Sequence, residues 1–260
     1  MTTGPQSFYL FDFDKNIMKV QVPLILTNTK DGTTKELSGK DYGAIKDQIG
    51  KEGEWKDWSD DNLFQNYRDV PDVPAEEQSF PKQIRNAIQG DPKSWQAPAW
   101  GMFVHACNAQ RPFSMITARG HSDETVKAAF QVLQEAGYIE QTPNYFTIYN
   151  VTYPPTVKAL GDKDGTMEVD ELKRIAILKT VDLAIERYGD EPHHFGMSDD
   201  TMDNVEAAAD AMVTCKVKYP DMRFFVIATN YSHHWKAEVF PANVPVEGHG
   251  DPDGPEPIGA

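Results

Sequence analysis

In Phe8-Tyr9-Leu10-Phe11-Asp12-Phe13-Asp14-Lys15-Asn16, four apolar residues run directly into two carboxylates one residue apart. A short aromatic and aliphatic run bounded by polar residues predicts a buried strand. Alternation along that strand puts Asp12 and Asp14 on one side of the backbone, unless the chain turns there. Two like charges at the end of a buried strand are costly without a cation or a shared proton to offset them. The pair points to a metal site or to a nucleophile with an acid–base partner. The plainer alternative is two acids capping a turn.

Composition narrows what such a site can serve. The 260 residues carry 25 Lys and Arg against 40 Asp and Glu, a net charge of −15. That balance argues against broad binding to nucleic acid or to an anionic membrane. It leaves room for a small anionic substrate, because a few local cations and a metal outweigh a distant field. Cys107 and Cys215 are the only cysteines, too few for a disulfide framework, so a reducing, cytoplasmic setting is expected. Met1 to Ser7 shows no basic, apolar leader, and no apolar run approaches the roughly 18 residues of a membrane span.

Outward from the opening strand, Ile17 to Leu26 is expected to be extended. Asp31-Gly32 marks a turn, with Thr33 to Leu37 as a hairpin partner. From about residue 30 to 100 the chain reads as an insertion or small cap of hairpin and short helices, acidic and interrupted by prolines at 71, 74, 81, 92 and 98. Trp55, Trp58, Trp95 and Trp100 are expected to pack this insertion onto the core, a grip on substrate being the alternative. Regular alternation follows: a helix over Trp100–Ala109, a strand over Phe113–Thr117, and a helix capped by Ser122 and stopped by Gly137. Tyr145 to Val151 is a further strand, broken by Pro154-Pro155. Asp170 is placed to cap a helix with Leu172, Ile175, Ala176 and Leu183 mostly inward. His194–Met197, a helix with Met202, Val205, Ala209 and Met212 on one face, and a last strand over Arg223–Ala228 complete the pattern. This is an α/β chain with a three-layer, doubly wound parallel sheet over residues 1–240. Residues 241–260, with five prolines, four glycines and four acids, are expected to form a disordered tail.

In an open parallel sheet, ligands bind beyond the carboxyl ends of the strands. The polar residues at those ends are Asp12 and Asp14, then Thr117, then Asp199, Asp200 and Asp203. Carboxylates at two strand ends suit a hard divalent cation, most naturally Mg²⁺. Thr117 and a lysine could hold phosphate oxygens.

With these residues in hand, the chain resembles the haloacid dehalogenase superfamily of aspartate-nucleophile hydrolases. Four short motifs occur in order: Asp12-Phe13-Asp14, Ser114-Met115-Ile116-Thr117, a lone lysine, and the acidic loop Gly196 to Asn204. The resemblance implies a Rossmann-like core and Mg²⁺-dependent hydrolysis of a small phosphate monoester. It makes Asp12 the nucleophile, giving an aspartyl phosphate, and Asp14 the general acid and base. Asp199 would complete the Mg²⁺ site with Asp12 and the carbonyl at Asp14. Thr117, Ala118 and Lys173 would hold the phosphate. Asp200 is the alternative metal ligand, Asp203 a supporting or capping residue, and Lys179 the alternative lysine, 20 residues before Asp199 rather than 26. The superfamily usually carries Thr or Val two residues after the second aspartate, where Asn16 stands here. A non-hydrolytic phosphate-binding or regulatory protein on the same fold is the main rival, with a phosphotransferase, a dehalogenase and a receiver-like signalling domain behind it.

Other signals carry less. Asp162-Lys163-Asp164-Gly165 fails the calcium-loop pattern, because Leu160 stands where the first carboxylate belongs. Adjacent pairs such as His193-His194 and His233-His234 point to opposite faces of a strand and make poor joint ligands. Arg119 and His121 follow Thr117 closely enough to reach substrate, or sit in a solvated loop. Phosphate-cradling and dinucleotide fingerprints do not occur.

Overall fold

The opening strand, β1 (Ser7–Phe11), is sided as its alternation requires. Phe8 and Leu10 enter one apolar core, and Phe11, with Tyr9 packed alongside, enters the other. A computed structural model of the chain describes residues 4–51, 53–230 and 233–241; 242–260, almost all of the expected tail, lie outside them. In chain order there follow β2 (Leu24–Asn28), β3 (Thr34–Leu37), α1 (Gly39–Ile45), β4 (Trp58–Ser59), α2 (Ser79–Ala87), α3 (Pro92–Trp95) and α4 (Trp100–Asn108). Then come β5 (Pro112–Thr117), α5 (Asp123–Glu135), β6 (Asn144–Asn150), α6 (Pro154–Leu160), α7 (Val169–Tyr188), β7 (His194–Asp199), α8 (Met202–Lys218), β8 (Arg223–Ala228) and β9 (Trp235–Glu238).

The main sheet has the order β6-β5-β1-β7-β8-β9, parallel except for β9, which runs antiparallel along β8. Helices α7 and α8 pack on the Phe8 face, while α2, α4 and α5 pack on the Phe11 face. The chain works outward from β1 through β5 to β6, then returns across α7 to β7 on the other side of β1. The strand order therefore reverses between β1 and β7, which is where such sheets open a crevice for ligands.

Buried aromatic rings anchor the Phe11 face. Phe113 lies 5.5 Å from Phe11 and 5.8 Å from Phe130 between ring centroids, and truncating any one of these to alanine would cost about 3–5 kcal/mol. Ser122 caps α5 by accepting from Thr125 N–H, and Gly137 follows it at φ +77°, the left-handed position that glycine adopts without strain.

Several expectations need correction. Ile17 and Met18 are not part of a strand. After Asp14 the chain turns through Lys15 at φ +57°, and both amides donate back to the Phe13 carbonyl, so the next strand begins only at Leu24. Pro154-Pro155 starts α6 rather than breaking the pattern, since proline at the first helical position loses no intrahelical bond. α7 begins at Val169 with Glu168 at its cap position, leaving Asp170 in the first turn. Leu183 and Met202 are exposed, and β9 extends the sheet past β8.

The insertion divides in two. β3-β2-β4 form a small antiparallel sheet with its own cluster around Leu24, Leu26 and Leu63, where Trp55 and Trp58 pack on each other. Phe80, Ile84 and Trp95 belong to the main core instead, Trp95 meeting Trp100 and Tyr138 edge-on. Of the four tryptophans, Trp95 and Trp100 therefore join the insertion to the core, while Trp55 and Trp58 stay in the small sheet's own cluster. Among the described residues no helix is long and apolar enough to cross a membrane.

Candidate active site at the strand switch

Asp12 lies one residue beyond β1 and is 4% exposed. Its N–H donates to Ser198 O at 3.0 Å, fixing the end of β1 to the end of β7 across the switch. It continues the parity of Phe8 and Leu10, so its side chain faces the α7 layer. There Lys173, 3% exposed, projects from the second turn of α7 and donates to Asp12 Oδ1 at 3.0 Å and to Asp199 Oδ2 at 2.7 Å. A cation this near a helix N-terminus opposes the macrodipole, and the two carboxylates compensate it. Asp199 Oδ1 accepts from Thr201 N–H and from Asn204 Nδ2, both at 3.0 Å. Asp12 Oδ2 has no donor among the described residues. Lys179, the alternative lysine, instead donates to Ala159 O at 2.7 Å.

Asp14 departs from Asp12 because of the turn at Lys15. Both of its oxygens accept from Arg119, Oδ2 from Nε at 2.8 Å and Oδ1 from an η nitrogen at 2.7 Å. Arg119 is not in a solvated loop: it is fully buried, bonded to Gln83 Oε1 at 2.9 Å, and its guanidinium lies 4.0 Å over the Phe80 ring. Such a two-point pair fixes the direction of both carboxylate oxygens.

Asn16 is wholly buried and is a fastener. Its Nδ2 donates to Asp12 O at 2.8 Å and to Ser198 Oγ at 2.9 Å, and its Oδ1 accepts from Thr229 Oγ1 at 2.7 Å. One amide thus joins the segment after β1 to the end of β7 and to the residue after β8, a task that needs both a donor and an acceptor.

Thr117 and Ala118 end β5 and line the same cleft as Asp12, Asp14 and Lys173, a space of about 420 Å³. The loop beyond them is tightly held. A Cβ on Gly120 would stand 2.9 Å from Thr152 Oγ1 and 3.1 Å from Arg68 Cγ, so any other residue there forces Thr152 to shift. His121 is buried beside the cleft rather than facing substrate. Its Nδ1 is 2.9 Å from Asp69 Oδ1, while Asp69 Oδ2 accepts from Ser122 N–H. Burial, chiefly, holds His121 below its ordinary pKa; the Asp69 carboxylate can only accept, so the facing Nδ1 is assigned the proton and donates.

Burial also dominates the electrostatics at Asp12. It pushes the carboxyl up to about 7, against the pull of Lys173 and with a further push from Asp199 and Asp14. Burial works against the Lys173 ammonium, but Asp12 and Asp199 outweigh it and hold the lysine above its usual range. Asp200, half-buried, is raised by burial and by Asp199. Carboxylate oxygens of Asp12, Asp199 and Asp200 all lie within 4.8 Å of one another. An all-oxygen set of this kind fits a hard cation such as Mg²⁺. Asp203 is exposed and takes no part in the cleft, whereas Asn204 does. Asp162, in the discounted calcium loop, accepts from the backbone N–H groups of Gly165, Thr166 and Met167.

Sequence reading missed Gln83 and Asp69, which fix Arg119 and His121, and Phe64, Tyr67 and Arg68, which line the cleft from the small lobe. Their only sequence signal is an aromatic and basic cluster inside an acidic insertion. None of Trp55, Trp58, Trp95 and Trp100 lines the cleft. Comparison of the chain with family models, curated proteins and solved structures found no match.

Proposed function

We propose that this protein hydrolyses small phosphate monoesters, with Asp12 as the nucleophile and Mg²⁺ as cofactor. The observation that carries the reading is the convergence of Asp12 and Asp199, from two strand ends at the switch point, on one buried lysine. A structural ion pair needs one carboxylate. Here a second is held beside the first, with Asp12 Oδ2 left open for chemistry.

In this reading Asp12 Oδ2 attacks phosphorus as the bond to the leaving oxygen breaks, and Asp14 gives that oxygen its proton. Asp14 then takes a proton from the water that attacks the aspartyl phosphate, which regenerates Asp12. Lys173 and Thr117 hold the phosphoryl oxygens, and Arg119 sets where the Asp14 oxygens point. Asp12, Asp199 and Asp200 would hold Mg²⁺, whose charge offsets that of the phosphoryl group.

Turnover of an aryl phosphate with and without Mg²⁺, beside Asp12→Asn, tests this. Activity that needs Mg²⁺ and falls on the order of 10³-fold or more in the variant is expected; activity that survives the substitution overturns the mechanism. One observation favours a second reading, a phosphate-binding regulator: both Asp14 oxygens are already occupied by Arg119. Binding of vanadate or beryllium fluoride without any turnover would support that reading instead.

A further inference from the structure

The cleft's outer wall comes from the small lobe. A 3₁₀ turn over Gln65–Tyr67 carries Phe64 and Tyr67 to the cleft that holds Asp12, Thr117 and Lys173. Phe64 is 54% exposed, the one aromatic among the large apolar side chains open to solvent in the described residues. It meets Tyr67 edge-to-face at 5.9 Å between centroids.

This pair stands on a rigid support. Leu63 O accepts from Ile25 N–H at 3.0 Å, Asn66 O from Ser79 Oγ at 2.8 Å and Gln83 Nε2 at 2.9 Å, and Tyr67 O from Gly120 N–H at 2.8 Å. The last bond ties the aromatic pair to the loop of Thr117, so its place relative to the charged floor is set before any ligand arrives. An exposed ring carried on a backbone held in place forms a contact surface without the entropy loss of ordering a loop. Val169 adds apolar surface from α7. Arg68, next in the chain, is exposed at the same cleft and has no carboxylate partner among the described residues, leaving a guanidinium plane able to stack on a ring.

Resting on the phosphate-ester reading above, we infer that the cleft selects monoesters whose leaving group carries a flat aromatic ring. That ring packs on Phe64 and Tyr67 while the phosphoryl group sits over Asp12 and Lys173. A hydroxyl-rich or aliphatic leaving group would give Phe64 no matching face. The volume is of the size that holds a phosphate and one such ring.

Non-hydrolysable phosphonates separate this inference from the catalytic one. Phenyl-, cyclohexyl- and methylphosphonate share the anionic head, and their binding in Mg²⁺ can be measured by calorimetry without turnover. Phenylphosphonate is expected to bind about five- to tenfold more tightly than the other two. Phe64→Ala should remove most of that advantage and leave methylphosphonate binding unchanged; Phe64 is exposed, so the variant should fold. Equal binding of phenyl- and methylphosphonate, or of phenyl- and cyclohexylphosphonate, would overturn the ring selectivity while the phosphate site stands. An undiminished phenyl preference in Phe64→Ala would do the same. Failure of all three to bind would overturn the phosphate reading and the ring selectivity with it.

Discussion

Replacing Lys173 by methionine removes an ammonium that lies 3.0 Å from Asp12 and 2.7 Å from Asp199, while leaving an unbranched chain to fill its space. Breaking a buried ion pair by deleting one partner typically costs about 3–5 kcal/mol, because the remaining charge stays buried and uncompensated. Here two carboxylates remain, so the upper part of that range applies at pH 8 with chelator present. For a domain of this size each kcal/mol moves Tm by about 2–4 °C, which gives a fall of roughly 8–20 °C. At pH 5.5 the penalty shrinks, since Asp12, held up to about 7 in the wild type and pushed higher once the pull of Lys173 is gone, takes a proton and relieves the repulsion. Thermal or urea unfolding of the variant and wild type at both pH values, in chelator, measures this. Adding Mg²⁺ should restore much of the lost stability at pH 8, because the cation binds only the folded site. It should not restore activity, expected to be at least 100-fold down, because in the proposed mechanism Lys173 also holds the phosphoryl group. A loss below about 1 kcal/mol at pH 8, or an equal loss at both pH values, would refute the ion-pair geometry.

Arg119→Lys keeps the charge but cannot span both Asp14 oxygens and Gln83; kcat should fall about 10- to 100-fold with KM little changed, read from steady-state kinetics. Asn16→Ala strips partners from Asp12 O, Ser198 Oγ and Thr229 Oγ1, and should cost about 2–4 kcal/mol in chemical unfolding. Apparent Mg²⁺ affinity should weaken as pH falls below about 7, because folded Asp12 then keeps a proton that the cation must displace. Titration of Mg²⁺ against activity from pH 5.5 to 8.5 should show that fall, levelling off well above the Asp12 midpoint of about 7.

The core of the fold is legible where a local pattern and a global role coincide. Phe8 to Phe11 alternate onto two faces, Ser122 and Gly137 bound α5, and strand ends carry acids at two points beside the switch. Tertiary context overrides the pattern elsewhere. Ile17 and Met18 have strand-like composition, yet the turn at Lys15 sends them into the core below Asp14. That same turn sends Asp14 to Arg119 instead of to Lys173. The Arg119–Asp14 pair spans 105 residues and His121–Asp69 spans 52, separations over which spacing carries no information. Exposure is no property of a residue type either, so nothing in the sequence singles out Phe64, which the lobe leaves 54% exposed.

In the proposed mechanism a phosphoryl group passes through Asp12. Acid-quenching the protein during turnover of a labelled aryl phosphate, followed by digestion and mapping, tests this. The label is predicted on the peptide containing Phe8 to Asn16, sensitive to hydroxylamine as an acyl phosphate is, and missing from Asp12→Asn. Turnover with no protein-bound label, or label on any other peptide, would contradict it.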